Sequence, residues 1–175
     1  MQPYQIILLI LIIAAFVGLL FLIFVFTHIY DFHRSMQRRL RAMDILLSQK
    51  STNLLMLVET LQNDGISIGK GDLEYVHRLA ELRFEKSTAV TVSENKAKIE
   101  AVRKKLSYLA VANKEISAHP SYKECVSHLE DLDKAFRRCV VLYNNDLSAF
   151  NYWINIPGIR PFVYLFRIEK AKPIN

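Results

Sequence analysis

The hydrophobic pattern begins with an unbroken apolar run from Ile6 to Phe26. Its 21 residues include no charged and no polar side chain. As a helix the run measures about 30 Å, the thickness of a bilayer's hydrocarbon core, and it pairs its backbone groups internally. A secretory signal has a basic start and small residues before its cleavage site, whereas MQPYQ has no Lys or Arg and bulky residues follow. The pattern predicts a retained transmembrane helix over 6–27, with 1–5 as a short extracytoplasmic N-terminus.

Helical spacing continues from His28 to Gln62 without a breaker after the apolar run, so the two segments can form one continuous helix. Leucines recur every seven residues, and Lys50 interrupts this heptad seam. Three glycines between Asn63 and Gly71 then predict a turn. The leucines of the seam are Leu40, Leu47, Leu54 and Leu61.

Two shorter helices are predicted next. Asp72 is the expected N-cap of the second, and Thr91 with Glu94 matches a capping box for the third, which runs to Ala118 before His119-Pro120. One long kinked helix over 72–118 is the alternative.

The fourth helix has the most regular pattern. Apolar residues alternate by steps of four and three from Tyr122 to Ile154, with Asp133 as the exception, and Pro157-Gly158 ends the helix. The first and fourth helices have similar lengths and can pair throughout. The predicted fold is all-α: an N-terminal transmembrane helix, then an antiparallel up-and-down four-helix bundle over 28–155 with long first and last helices, and an aromatic and basic tail over 156–175.

Charge is concentrated after the apolar run, within a formal net charge of +6. Basic residues beside a transmembrane helix stay on the cytoplasmic side. The N-terminus is therefore expected outside and the bundle in the cytoplasm. The basic residues that predict this orientation are Arg34, Arg38, Arg39 and Arg41.

The tail is rich in amphipathic rings and basic residues, which favour a membrane surface. An antiparallel fourth helix brings this tail back to the bilayer. The alternative is that its apolar residues fold onto the end of the bundle. The residues predicted at the membrane surface, besides the four arginines, are Trp153, Arg160, Phe162, Tyr164, Phe166 and Arg167.

Lys50 and Asp133 are the two charged residues that interrupt the seams of the long helices. Each lies near the middle of its helix, so antiparallel pairing can join them as a buried ion pair. Alternatively, both side chains extend to the surface.

Catalytic and metal-binding patterns are sparse. The glycines before Asp72 lack the strand and the Lys-Ser/Thr pair of a phosphate loop. We expect no enzyme activity, no cofactor and no metal. The residues for an alternative metal- or cysteine-dependent enzyme are Glu74, His77, Glu124, Cys125 and His128.

Short motifs in the C-terminal half resemble the LemA family. They are Leu109-Ala110-Val111-Ala112, Ser121-Tyr122, Leu129-Glu130-Asp131-Leu132, Tyr143-Asn144, Phe150-Asn151, Ile156-Pro157 and Leu165-Phe166. The segment Leu54–Val58 lacks the family's Pro and Asn, and Arg167 replaces a Gly. The resemblance implies a bacterial single-pass protein of the cytoplasmic membrane with a helical bundle in the cytoplasm, and it implies no activity.

The expected function is a non-enzymatic scaffold that self-assembles or binds a partner membrane protein, without nucleic acid. Heptad seams and the lack of a catalytic set favour this interpretation. The alternatives are a metal- or cysteine-dependent enzyme built in the bundle and a signalling relay through the membrane helix.

Overall fold

The computed structural model describes residues 3–84, 87–165, 168 and 170–174. Within these ranges the chain is helical and contains no strand, which confirms the all-α prediction. Phe166 and Arg167, predicted at the membrane surface, lie outside the described residues. The helices are α1 (Pro3–Asn63), α2 (Lys70–Ala80), α3 (Ala89–Ala112), α4 (Lys114–Ala118), α5 (Pro120–Ile154) and α6 (Arg160–Leu165).

Helix α1 joins the apolar run and the first heptad seam without a break, which is the continuous arrangement that their spacing allowed. The chain forms two compact units. A terminal unit contains Met1–Met36 and Asn145–Lys172, and a central unit contains Gln37–Asn144 and Pro173–Asn175.

The core of the central unit is built from the heptad residues of three helices. Helices α1 and α5 run antiparallel, since Lys50 meets Asp133 and Asn53 meets His128. Helix α3 is also antiparallel to α5, because Arg103 meets Asp133 and Lys96 lies over Phe136. Residues spaced by three and four therefore bury one face of each helix. Core residues include Leu47, Leu54, Leu61, Ile99, Val102, Leu106, Leu129 and Phe136.

The break between α2 and α3 confirms two helices in this region, but both predicted caps were wrong. Helix α2 begins at Lys70 with Gly69 in the N-cap position, while the Asp72 carboxylate bonds to Lys105 Nζ at 2.9 Å. The capping box of α3 joins Thr88 and Thr91. Hydroxyl residues at several positions in this stretch can cap a helix equally well, so spacing alone does not select the pair.

The predicted third helix does not run unbroken to Ala118. Asn113 has an extended backbone (φ −121°, ψ 110°) and separates α3 from the short helix α4. Its side-chain oxygen accepts a hydrogen bond from the Glu115 N–H at 2.9 Å. Asparagine competes with helical hydrogen bonds in this way, which explains the interruption.

In the terminal unit, α1 and α5 again lie antiparallel. The Ser35 hydroxyl donates to Asp146 Oδ2 at 2.7 Å, and His33 lies against Phe150 with 6.2 Å between ring centroids. Nearer the N-terminus of α1, His28 stacks on Trp153. Burial of α1 begins at Val25 and Ile29, which face this pairing.

Candidate functional site

The first candidate surface is the N-terminal part of α1. Every side chain from Tyr4 to Phe21 is exposed, and all except Gln5 lack charge and strong polarity. By length and composition, this is the one helix in the described part of the chain that can cross a membrane. A helix that is apolar on all sides requires an apolar environment around it.

The four arginines after this surface are not equivalent. Arg34, Arg38 and Arg41 are exposed, which suits contact with anionic headgroups. Arg39 is half-buried and its Nε is inaccessible to solvent. Arg39 lies three and four positions from the buried residues Met36 and Met43, so it sits closer to the packed side of α1 than the other three arginines.

Trp153 lies at the end of the exposed apolar surface. Its ring is parallel to that of His28, with centroids 5.4 Å apart, and Phe24 contacts it edge-on at 6.2 Å. An indole with one half-buried face has the amphipathic character of residues at a membrane interface.

Helix α6 also packs on α1 within the terminal unit. Ile159 is buried, and the Phe162 ring meets Phe26 edge-on at 6.3 Å. An apolar groove of about 560 Å³ lies beside this contact. Arg160 and Tyr164 are exposed. The tail thus combines residues that dock on protein with residues that face outward.

The second candidate site is an ion cluster in the central unit. Lys50 Nζ bonds to Asp133 Oδ1, and Arg103 Nη1 bonds to Asp133 Oδ2. The Lys50 side chain is only 3% exposed, while Arg103 is partly exposed. The structure joins the two charged residues that interrupt the seams, and it adds a second cation to their pair.

The electrostatics of this cluster favour an ionised carboxylate. Burial by itself would raise the pKa of Asp133, but hydrogen bonds from Lys50 and Arg103 outweigh that effect and hold the pKa below its ordinary value. The Arg103 pKa is raised: burial opposes the charge, and Asp133 more than compensates. Asp133 and Arg103 therefore stay charged at neutral pH.

Of the residues in the LemA-like motifs, Tyr143, Phe150 and Asn151 lie on α5, and Pro157 follows it. Tyr143 and Phe150 are buried, Asn151 is half-buried and Pro157 is exposed. Asn144 holds the end of the chain: its amide makes two hydrogen bonds with the backbone of Ile174.

Comparison with protein-family models, curated proteins and solved structures finds no match to this chain.

The alternative enzyme residues fall into two places. Glu124, Cys125 and His128 line a pocket of about 200 Å³ together with Asn53. The Cys125 thiol donates to the Asn53 carbonyl at 3.7 Å, and burial raises its pKa, an effect that Arg103 opposes. A nucleophilic cysteine needs a lowered pKa. The pKa of the Cys125 thiol is raised instead.

Glu74 and His77 are exposed on α2, where Glu74 pairs with Arg78 at 3.7 Å. Among the described residues no group of three His, Cys, Asp or Glu side chains is arranged to hold a metal ion.

Arg103 and Asp44 were missed in the sequence. Arg103 is partly exposed and directly follows the buried residue Val102 on α3. Asp44 is 3% exposed, and within the described chain neither carboxylate oxygen has a hydrogen bond of regular geometry. Burial raises its pKa, and the Ser87 hydroxyl offsets this only in part. The signal for Asp44 was its spacing from Leu40 and Leu47, which puts it on the seam side of α1.

Proposed function

We propose that this protein is a non-enzymatic scaffold of a bacterial cytoplasmic membrane, related to the LemA family and anchored by the first part of α1. The observation that carries the proposal is the continuous exposed apolar surface from Tyr4 to Phe21. In water, so large an apolar surface would be strongly unfavourable, and surfaces of this kind mark membrane or protein contacts.

The proposed orientation has the N-terminus outside and the C-terminus in the cytoplasm. Three exposed arginines follow the apolar surface, and the segment before it has no basic side chain. A C-terminal alkaline phosphatase fusion in a bacterial host should be inactive, and a C-terminal green fluorescent protein fusion should fluoresce. Substitution of Arg34, Arg38 and Arg41 by Gln should raise phosphatase activity. An active phosphatase fusion of the unmodified chain would refute the orientation.

The proposed assembly surface is a stripe on α3, opposite its buried face. Five of its seven residues are Val, Ala or Tyr, and the exposed fractions are 55% for Val90, 70% for Tyr108 and 85% for Val111. Steps of four and three are the spacing at which helices pair through their side chains. The α3 stripe consists of Val90, Glu94, Ala97, Ala101, Lys104, Tyr108 and Val111, all exposed.

Assembly is tested by light scattering of the full chain in detergent. The protein at micromolar concentration should be larger than a monomer, and the double substitution Tyr108→Lys/Val111→Lys should reduce its size. Ile45→Lys, at an exposed apolar position on α1, is the control and should leave it unchanged. A monomeric wild-type protein would refute self-assembly, and crosslinking in membranes would then test for a partner protein.

The tail supplies a second proposed membrane contact. Residues 30–175 should bind anionic liposomes, through exposed groups such as Arg160 and Tyr164, and deletion of 157–175 should weaken that binding. If the truncated chain binds the liposomes as well as residues 30–175 do, the tail only packs on the protein and does not contact lipid. Folding of both chains is checked by circular dichroism.

A further inference from the structure

A cleft of about 490 Å³ lies between α3 and α5 in the central unit, with Lys50 of α1 at its base. This volume is in the range of pockets that bind small organic molecules, roughly 300–1,000 Å³. On α3 it is lined by residues 96, 100 and 103, and on α5 by residues 133, 136, 137, 140 and 141. Both sets recur at helical spacing, so each helix presents one continuous strip to the cleft.

Among the residues that the structure describes, the lining of the cleft has an excess of positive charge. Four basic side chains from three helices face two carboxylates, those of Asp133 and Glu100. Asp133 already binds two of the cations, Lys50 and Arg103, and the negative charges of Glu100 and Glu130 also act on Arg103. Excess charge at a buried site is unfavourable without a counter-charge. The four basic residues are Lys50, Lys96, Arg103 and Arg137.

One wall of the cleft is apolar. The Phe136 ring lies 5.1 Å from Lys50 Nζ and 6.0 Å from Lys96 Nζ, and Val140 continues the wall along α5. Cations at these distances from a ring are attracted by its face, which holds the ammonium groups beside the apolar wall. The cleft therefore offers basic side chains to an anionic group and an apolar wall to an apolar group of the same ligand.

We propose that this cleft binds a small amphiphilic anion, with its carboxylate or phosphate group held by Lys96, Arg137 and the cations at the base, and its apolar part against Phe136 and Val140. Charge-assisted hydrogen bonds supply the affinity for the anion, and burial of the apolar part selects against simple inorganic ions.

The test uses calorimetry of the full chain in an uncharged detergent at physiological salt. Phenyl phosphate is the probe, while inorganic phosphate and phenol carry its two halves separately. The wild-type protein should bind one molecule of phenyl phosphate saturably. Its affinity for phenyl phosphate should be at least tenfold higher than for either fragment, because each fragment makes only part of the contacts.

The variant Lys96→Gln/Arg137→Gln should weaken phenyl phosphate binding about tenfold or more, since it removes two charge-assisted contacts. Its matched control is Lys98→Gln/Arg138→Gln, which removes the same charge from the same helices at exposed positions outside the cleft. The control should retain the wild-type affinity within about twofold. Neither variant alters the Lys50–Asp133–Arg103 cluster, and thermal unfolding verifies that both fold.

Three outcomes would overturn the proposal: absence of saturable binding, equal weakening in both variants, or equal affinity for phenyl phosphate and inorganic phosphate. A final experiment distinguishes a lipid headgroup from a soluble anion as the natural ligand. Displacement of phenyl phosphate by an anionic phospholipid in the micelles, seen in the wild type, supports a lipid headgroup. Binding that the phospholipid does not affect supports a soluble metabolite-sized anion.

Discussion

The side-chain amide of Asn144 pairs with the backbone of Ile174 as one peptide group pairs with another. Its Nδ2 donates to the Ile174 carbonyl at 2.9 Å, and its Oδ1 accepts from the Ile174 N–H at 3.2 Å. The Ile174 side chain is buried. Two hydrogen bonds and one apolar contact thus hold the end of the described chain on α5, within the central unit.

Replacement of Asn144 by Ala should lower the free energy of unfolding by about 1–3 kcal/mol, because it leaves the Ile174 backbone groups without their partner. The measurement is denaturant unfolding of the full chain in detergent. Asn145→Ala is the control: Asn145 is adjacent and exposed, so its effect should stay within about 0.5 kcal/mol. Equal effects of the two variants would show that the contact contributes nothing to stability.

Removal of Asp133 should destabilise the protein more than removal of Lys50. Asp133→Leu leaves two cations without their carboxylate, and an effect of about 3–5 kcal/mol is expected. Lys50→Leu leaves Asp133 bonded to Arg103, so the loss should be smaller. The double variant should lose less stability than the sum of the single variants.

The single and double variants of Lys50 and Asp133 form a double-mutant cycle. Its control is the same cycle for the exposed pair of Lys134 and Asp131, in which Nζ lies 2.9 Å from Oδ1. Its coupling energy should be much smaller than that of the buried pair, because solvent screens exposed charges. Additive effects at Lys50 and Asp133 would contradict the coupling of the buried pair.

Stability should depend on pH through Asp44. Burial raises its pKa in the folded protein, so the folded state binds the proton more tightly than the unfolded state. Its contribution is therefore most favourable below the unfolded pKa of about 3.9, and it is lost as pH rises through the higher folded value. Asp44→Asn should gain stability relative to wild type between about pH 4 and pH 7.

Thermal unfolding across this pH range measures the effect. Asp131 provides a control of opposite sign, since Lys134 lowers its pKa in the folded state and its contribution is lost as pH falls. A stability difference between Asp44→Asn and wild type that does not vary with pH would contradict the assignment.

Phe136 should be essential to the core. It is buried beneath the ammonium groups of Lys50 and Lys96, and Phe136→Ala should reduce the unfolding free energy by about 3–5 kcal/mol through lost apolar contact and a residual cavity. Leu142→Ala, at an exposed position on the same helix, should have an effect below about 1 kcal/mol. An unfolding curve of Phe136→Ala that matches wild type would place the core elsewhere.

Much of the helical framework follows from local patterns. The uninterrupted apolar and heptad spacing predicted one helix through α1, and the four-three alternation predicted α5, because periodicity determines which face of a helix is apolar. The pairing of Lys50 with Asp133 was one of two alternatives in the sequence. The cap of α3 was not predictable, because several hydroxyl residues in that loop offer similar local hydrogen bonds. Helix α2 begins after Gly69 without a side-chain cap, so no capping residue marks its start.

The sequence by itself determined the all-helical class, the long apolar start of α1 and the buried faces of the long helices, since these depend on residue type and spacing along a single helix. Only the tertiary structure decided which side chains meet across helices. Arg103 joins Asp133 because the relative rotation and register of α3 and α5 set the distance between them. Asn144 binds Ile174, which follows the last helix, because that segment packs on α5. The burial of Asp44 and the cleft beside Phe136 likewise depend on neighbours that are distant in sequence.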